Sequence, residues 1–153
     1  MHDKEITLFT NGLKFAQDEF FLDSINEFNK LVEDYPDSEL ADDAYFNIGL
    51  CYFEMNHFIK AIEIYNVVIN DYPDSTISSL EGQGESGKTA AKCHYAILNC
   101  FLAVNDLKEA TKELEKAKEY PETFVVCDGK RITFYQLAMQ ALKTYNKIQE
   151  EQQ

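Results

Sequence analysis

Apolar residues recur at steps of three and four along most of the chain, which is the spacing of an amphipathic helix. Between Ala44 and Tyr52 they share one helical face, and the same spacing returns from Ala61 to Ile69 after a polar turn at residues 55–57. Pro73 ends the second segment, because the residue before a proline disfavours helical backbone angles. The pattern predicts two helices joined by a short turn.

This helix pair is repeated along the chain. The peptide Asp-Tyr-Pro-Asp-Ser occupies residues 34–38 and again residues 71–75, and a weaker copy, Glu-Tyr-Pro-Glu-Thr, occupies residues 119–123. The first two copies are 37 residues apart, a period typical of a repeat architecture, and the third copy follows after a longer interval. We therefore expect three helix pairs within a single domain of residues 1–153, at about residues 5–38, 42–75 and 91–123.

The chain after the third pair predicts a different ending. Asp128-Gly129 lies between two short apolar runs, which indicates a hairpin over residues 124–134. Apolar positions at helical spacing then run from about residue 133 to residue 150. Because a repeat array needs a terminal element over its last open face, we expect this segment to be a capping helix.

Signature positions of the pairs resemble the tetratricopeptide repeat family. In the second pair these are Tyr45, Ile48, Gly49, Tyr52, Ala61, Tyr65 and Pro73, and in the first they are Leu8, Asn11, Gly12, Phe15, Ser24, Phe28 and Pro36. The third pair departs from the pattern, since Leu98 replaces the usual glycine. The resemblance implies an all-α superhelix of three antiparallel helix pairs plus the C-terminal capping helix.

The repeated peptide, followed by Ala41-Asp42-Asp43-Ala44, is also similar to tetratricopeptide modules of bacterial cell-envelope and outer-membrane-assembly proteins. In the family, the first helix of each pair lines a concave surface. The resemblance places on that surface Ile6, Phe9, Leu13 and Gln17 from the first pair, Asp43, Phe46, Leu50, Phe53 and Glu54 from the second, and Lys92, Tyr95, Asn99 and Leu102 from the third.

This lining is unusually apolar, which predicts a protein-interaction scaffold that binds a helix or an extended segment of another protein. Asp43 and Glu54 would favour basic residues of that partner at the rim. An alternative is that the groove is filled by self-association into a homo-oligomer, or by the chain's own helix at residues 133–150. Some family members hold the terminal carboxylate of a chaperone, but this needs asparagine where Leu13 and Leu50 stand, and only Asn99 fits.

One segment matches a nucleotide-binding motif. Residues 82–89 satisfy the P-loop pattern G-x-x-x-x-G-K-[ST] through Gly82, Gly87, Lys88 and Thr89. Such a loop works between a buried parallel strand and a helix, whereas residues 73–81 are polar. We interpret residues 78–89 as a flexible glycine-rich insertion between two pairs, and expect no cofactor and no enzyme activity. Another interpretation is that the exposed backbone amides at the start of the following helix hold an anion loosely.

Charge narrows the classes of partner. The net charge is −13, and residues 1–80 hold sixteen acids and four bases, a net of −12. Nucleic acid and anionic membranes need a basic patch, so neither is expected as a partner.

The four cysteines lack metal-site spacing, and Cys51 and Cys100 share a repeat position that indicates packing. Without a signal peptide or membrane span the expected location is cytoplasmic, or periplasmic for a trimmed mature form.

Overall fold

The computed structural model describes residues 3–81 and 84–153, which contain seven helices and three short strands. The helices are α1 (Asp3–Gln17), α2 (Phe21–Asp34), α3 (Ala41–Glu54), α4 (Phe58–Asp71), α5 (Thr89–Ala103), α6 (Leu107–Ala117) and α7 (Phe134–Glu151). The strands are β1 (Glu85–Ser86), β2 (Phe124–Cys127) and β3 (Lys130–Thr133).

The helices form antiparallel pairs that stack in chain order. Helix α1 packs on α2, α3 on α4 and α5 on α6, while α2 contacts α3 and α4 contacts α5 in the same way. Helix α7 packs on both helices of the third pair. The predicted fold of three helix pairs and a terminal helix is confirmed.

Each pair is joined by the same turn conformation. Glu19, Asn56 and Asn105 stand at equivalent places and have φ angles of 65°, 64° and 60°. A positive φ is unusual for residues other than glycine, so its recurrence reflects one shared chain reversal. The third pair, whose signature is weakest, therefore keeps the local geometry of the other two.

Close approach within the first two pairs depends on glycine. A methyl group added at Gly12 would lie 2.6 Å from the ring of Phe28, and one added at Gly49 would lie 2.5 Å from the ring of Tyr65. Both rings are buried, and neither distance is possible between carbon atoms that do not share a bond. In the third pair Leu98 takes the glycine position and packs with Ala110 and Leu114, so the facing ring is absent.

The strands form one small antiparallel sheet in the order β1-β2-β3. Strands β2 and β3 are the two arms of the predicted hairpin, which turns at Asp128 and Gly129. The sequence did not predict β1, whose two residues are too few to carry a periodic pattern. Glu85 pairs with Val125 and Ser86 with Phe124, so part of the glycine-rich segment becomes the third strand.

We predict that Gly49→Ala destabilises the protein. Helix propensity alone would stabilise the variant by about 1 kcal/mol, but the new methyl group would overlap the Tyr65 ring. We expect the free energy of unfolding to fall by roughly 1–3 kcal/mol, the usual cost of overpacking. Urea denaturation measures this change, with Thr10→Ala on the exposed face of α1 as the control. A more stable Gly49→Ala protein would contradict the close contact.

Candidate functional site

An apolar cavity of about 240 Å³ lies between α3, α5 and α7. Its walls are mainly aromatic and aliphatic, formed by Phe46, Leu50, Phe53, Tyr65, Tyr95, Ala96, Val125, Phe134 and Leu137, and its polar lining residues are Glu85, Lys92 and Asn99. The cavity adjoins a shallower depression of about 500 Å³ that follows α5 and α7 as far as Ile148. Together we call these two spaces the groove.

Contacts between rings shape the walls of the groove. The Phe46 and Tyr65 ring centroids are 5.5 Å apart, and those of Tyr95 and Phe134 are 5.8 Å apart. Tyr65 is fully buried, whereas Leu50 retains 37% of its surface exposed. The groove thus has a rigid aromatic floor and an accessible aliphatic edge, which suits the burial of a bulky apolar group.

The structure brings together about half of the residues that the sequence assigned to the concave surface. Phe46, Leu50, Phe53, Lys92, Tyr95 and Asn99 line the cavity, and Leu102 lines the adjoining depression. These residues lie on α3 and α5, the first helices of the second and third pairs. On both helices the residues that the repeat alignment selected thus border the same groove.

Residues of α1 do not line the groove. Phe9 is fully buried, with its ring 5.5 Å from that of Phe28, so it belongs to the core of the first pair. Ile6 and Leu13 are half-buried and pack against the same core, and Gln17 is exposed at the end of the helix. None of the four lines the groove, which begins at α3, since α1 packs mainly on α2.

Two acidic residues predicted for the rim also lie elsewhere. Asp43 is 1% exposed, and its two carboxylate oxygens accept hydrogen bonds from the Ser78 amide at 3.1 and 3.2 Å. Asp43 therefore holds the link after α4 and is not available to a partner. Glu54 is exposed at the end of α3 but is not among the residues that line the groove.

The groove residues that lie outside α3 and α5 were not predicted. Phe134 and Leu137 come from α7, Val125 comes from β2, and Glu85 comes from β1. The helical spacing over residues 133–150 indicated a packed helix but not which surface it borders. Helix α7 lies beside α5 and forms one wall of the groove, and the cavity remains between this wall and α3.

A buried lysine connects the groove to the link between α4 and α5. The Lys92 ammonium lies 3.2 Å from Glu81 and 2.9 Å from Glu85, and 4.1 Å from the centre of the Phe46 ring. Asn47 donates a hydrogen bond of 2.6 Å to the second oxygen of Glu81. These contacts hold the link and strand β1 against α3 and α5 at one end of the cavity.

Burial changes the ionisation of the acids in this cluster. Burial, together with the charges of Asp42 and Glu81, raises the pKa of Asp43 to about 8. Burial likewise raises the pKa of Asp42 and that of Glu81. Burial opposes the charge on Lys92, but Glu81 and Glu85 outweigh it and raise the pKa of the ammonium. Lys92 is therefore a fixed positive charge among carboxyl groups that ionise with difficulty.

The P-loop-like residues have structural roles instead of a phosphate-binding geometry. The Thr89 hydroxyl donates a 2.5 Å hydrogen bond to Asp42, and the Lys88 ammonium pairs with exposed Asp74 at 3.1 Å. Gly87 has a φ of 112°, and a side chain there would lie within 2.6 Å of the Thr123 backbone. Gly82 lies outside the described residues.

The surroundings of this segment also differ from a P-loop. Strand β1 is antiparallel to β2 and holds two residues, whereas a P-loop follows a buried parallel strand. The Lys88 amide donates to the Thr123 hydroxyl and the Thr89 amide to the Ser75 carbonyl, so neither points to an anion. The link at residues 84–89 is held by these hydrogen bonds, where the sequence had suggested a flexible insertion.

Titratable groups outside the groove are also engaged in packing. Burial raises the pKa of the Cys51, Cys93 and Cys100 thiols, which disfavours the reactive thiolate. His94 is buried, with its Nδ1 atom 2.7 Å from Glu113. Although burial opposes ionisation of Glu113, hydrogen bonds from His94 and Lys116 lower its pKa.

Residues 3–81 and 84–153 contain no group of three or more histidine, cysteine, aspartate or glutamate side chains arranged to hold a metal ion. None of their helices combines the length and the apolar character that crossing a membrane requires.

We predict that stability falls as pH rises from about 4 to about 8. The unfolded chain releases the Asp43 proton near pH 3.8, whereas the folded protein keeps it until about pH 8. Over this interval the folded state binds more protons than the unfolded state, so raising the pH favours unfolding. Urea denaturation at several pH values should show a shallower decline for Asp43→Asn than for the wild type. Exposed Asp37→Asn is the control, and an unchanged profile in Asp43→Asn would contradict the prediction.

We also predict that the protein does not bind ATP in the presence of Mg²⁺. The Thr89 hydroxyl that would ligate the metal is committed to Asp42, and the amides of Lys88 and Thr89 already donate to protein oxygens. Isothermal titration calorimetry at millimolar ATP tests this expectation. Saturable binding that disappears in Lys88→Ala would disprove it.

Comparison with known proteins supports the tetratricopeptide interpretation. Residues 43–75 match the sequence model of the tetratricopeptide repeat. No curated protein sequence matches the chain significantly. The resemblance to bacterial cell-envelope modules thus stays a prediction.

Solved structures of tetratricopeptide proteins share the fold. The chain is similar to the complex of the TPR2AB domain of yeast Sti1 with pHSP90 (TM-score 0.68, 17% identity, 96% of this chain and 48% of that one). It is also similar to the Hsp90 co-chaperone Cns1 from Saccharomyces cerevisiae (TM-score 0.67, 13% identity, 99% and 43%). A third match is the TPR domain of P58(IPK) (TM-score 0.63, 16% identity, 95% and 34%).

The chain spans less than half the length of each of these solved structures. At such low identity the likeness concerns the fold alone. The chain therefore has the fold of tetratricopeptide domains, and its second helix pair carries a recognisable tetratricopeptide repeat.

Proposed function

We propose that the protein is a non-enzymatic scaffold that captures a segment of another protein in the groove between α3, α5 and α7. The observation that carries this proposal is the cavity of about 240 Å³ walled by aromatic and aliphatic side chains from α3, α4, α5, α7 and strand β2. A partner that inserts a bulky apolar side chain would remove this surface from water, which contributes about 1.5–3 kcal/mol for a residue of leucine or phenylalanine size.

The shape of the groove favours an elongated partner. Its deep part lies beside β1 and β2, and its shallow part continues along α5 and α7. We expect one large apolar residue of the partner in the deep part and a further apolar contact in the shallow part. An amphipathic helix or an extended peptide provides such spacing.

Electrostatics add a second preference. With a net charge of −13, the protein attracts basic segments over longer distances than a neutral one would. Near the groove this attraction is reduced, since Lys92 faces Glu81 and Glu85 directly. Charge would therefore speed the encounter with a basic partner, and apolar contacts would provide most of the affinity.

A carboxylate clamp of the chaperone-binding kind is not part of the proposal. One matched structure is a complex with pHSP90 and another is an Hsp90 co-chaperone, which supports protein binding as the class of function. In this chain, however, Leu50 stands where the family clamp needs asparagine. Lys92 is occupied by two carboxylates, so it is not free to receive a third.

The proposal is tested with Leu50→Asp. Leu50 is 37% exposed and lines the cavity, so a charge there should weaken partner binding without unfolding the protein. A photo-crosslinking amino acid at position 50 would first capture the partner from the source cell for identification by mass spectrometry. Binding of the purified partner should then be weaker by about tenfold or more in Leu50→Asp, the change expected when an apolar contact of this size is lost.

Leu22→Asp is the matched control. Leu22 is 73% exposed near the start of α2, on the first pair and outside the groove, so the same substitution there should leave binding unchanged. Equal loss of binding in both variants would show that the groove is not the site. A melting temperature lowered only in Leu50→Asp would show that Leu50 belongs to the core, which would also refute the proposal.

A further inference from the structure

Helix α7 follows the third pair in chain order and contacts both of its helices, as α5 contacts both helices of the second pair. The balance differs, because α5 packs mainly on α4, whereas α7 packs somewhat more on α5 than on α6. Each of α1, α3 and α5 is covered by the second helix of its own pair. Within residues 3–81 and 84–153, no such second helix packs on α7.

The uncovered side of α7 forms a surface groove with α6, separate from the groove between α3, α5 and α7. Its volume is about 810 Å³, and Leu114, Met139 and Leu142 contribute its apolar surface. Met139 retains 43% of its surface exposed at the centre of this side. A long unbranched thioether side chain adapts to differently shaped partners, so its exposure here suits a contact surface.

Two lysines and one acid give this surface a net charge of +1, since its charged lining residues are Lys143, Lys147 and Glu150. Neither lysine forms an ion pair with any other described residue, although the protein carries a net charge of −13. Being four residues apart, they lie on one side of the helix, one turn from each other.

We infer that the surface between α6 and α7 is a second docking site, which accepts an acidic amphipathic helix from another protein in the position that a second helix of its pair would take. The apolar face of that helix covers Met139, Leu142 and Leu114. Two carboxylates spaced four residues apart along its edge meet Lys143 and Lys147. The inference does not depend on the groove described above, because the apolar and basic residues that it uses, Leu114, Met139, Leu142, Lys143 and Lys147, do not line that groove.

The chain contains a suitable probe for this site. A synthetic peptide of residues 21–34 is the helix α2, which packs as a second helix on α1 in the first pair. The peptide has four acids and one lysine, a net of −3, and Asp23 and Glu27 have the required spacing. A control peptide carries Asp23→Lys and Glu27→Lys.

Methionine methyl groups provide the readout. The chain has three methionines, of which Met139 lies on the proposed surface and Met55 packs against the core that contains α2. In the full chain labelled with ¹³C at the methionine methyl groups, the peptide of residues 21–34 should shift the Met139 signal and leave the Met55 signal in place. The control peptide should bind at least about tenfold more weakly, because both of its edge charges would repel the lysines.

Two protein variants distinguish binding that depends on Lys143 and Lys147 from nonspecific attraction to the charge of the whole protein. Lys143→Glu/Lys147→Glu should raise the dissociation constant for the peptide of residues 21–34 by about tenfold or more. Lys4→Glu/Lys14→Glu on α1 makes the same change in net charge and should bind as the wild type does. All four positions are exposed, so both variants should fold.

Several results would overturn the inference. One is a Met139 signal that does not move at about 1 mM peptide. Another is peptide binding by Lys143→Glu/Lys147→Glu that equals binding by the wild type. A third is a shift of the Met55 signal, which would mean that the peptide displaces α2. A Met139 signal that moves with protein concentration in the absence of peptide would show that a second copy of the chain occupies the surface instead.

Discussion

The contact between a glycine and an aromatic ring sets the distance between the helices of the first two pairs. With no side chain at Gly12 and Gly49, the Phe28 and Tyr65 rings lie almost against the backbone of the opposite helix. The groove lies between the two first helices α3 and α5, and its floor includes Tyr65, the same ring that covers Gly49. Tyr65 therefore contributes both to the packing of the second pair and to the surface of the groove.

The end of the groove depends on a second constraint, the buried charge of Lys92. An ammonium group removed from water needs compensation, and Glu81 and Glu85 supply it from the link between the second and third pairs. Because both acids belong to this link, neutralising Lys92 also brings the link and strand β1 against the helices. The hydrophobic Val125 side chain of β2 then reaches the cavity beside β1.

Much of the fold followed from local sequence patterns, but the site followed only in part. Helical spacing, the repeated Asp-Tyr-Pro-Asp-Ser peptide and Asp128-Gly129 are local signals, and each predicted an element correctly. Residues of α3 and α5 could be assigned to the groove because the repeat alignment transfers a helix face. Phe134 and Glu85 could not, since their places depend on long-range packing that no periodicity encodes. The same alignment assigned Asp43 to the rim, but an alignment does not show that the Ser78 amide donates to its carboxylate and that the side chain is buried.

The long link between α4 and α5 shows how such an array accommodates additional chain. Helix α4 packs on α5 much as α2 packs on α3. The connection from α4 to α5 is nevertheless longer than the connection from α2 to α3 by more than ten residues. Within this connection Glu85 and Ser86 join the hairpin, and Glu85 borders the groove, without separating the pairs. A helical array of this kind can thus diversify what it recognises through changes in its links, while the stacked helices remain a constant support.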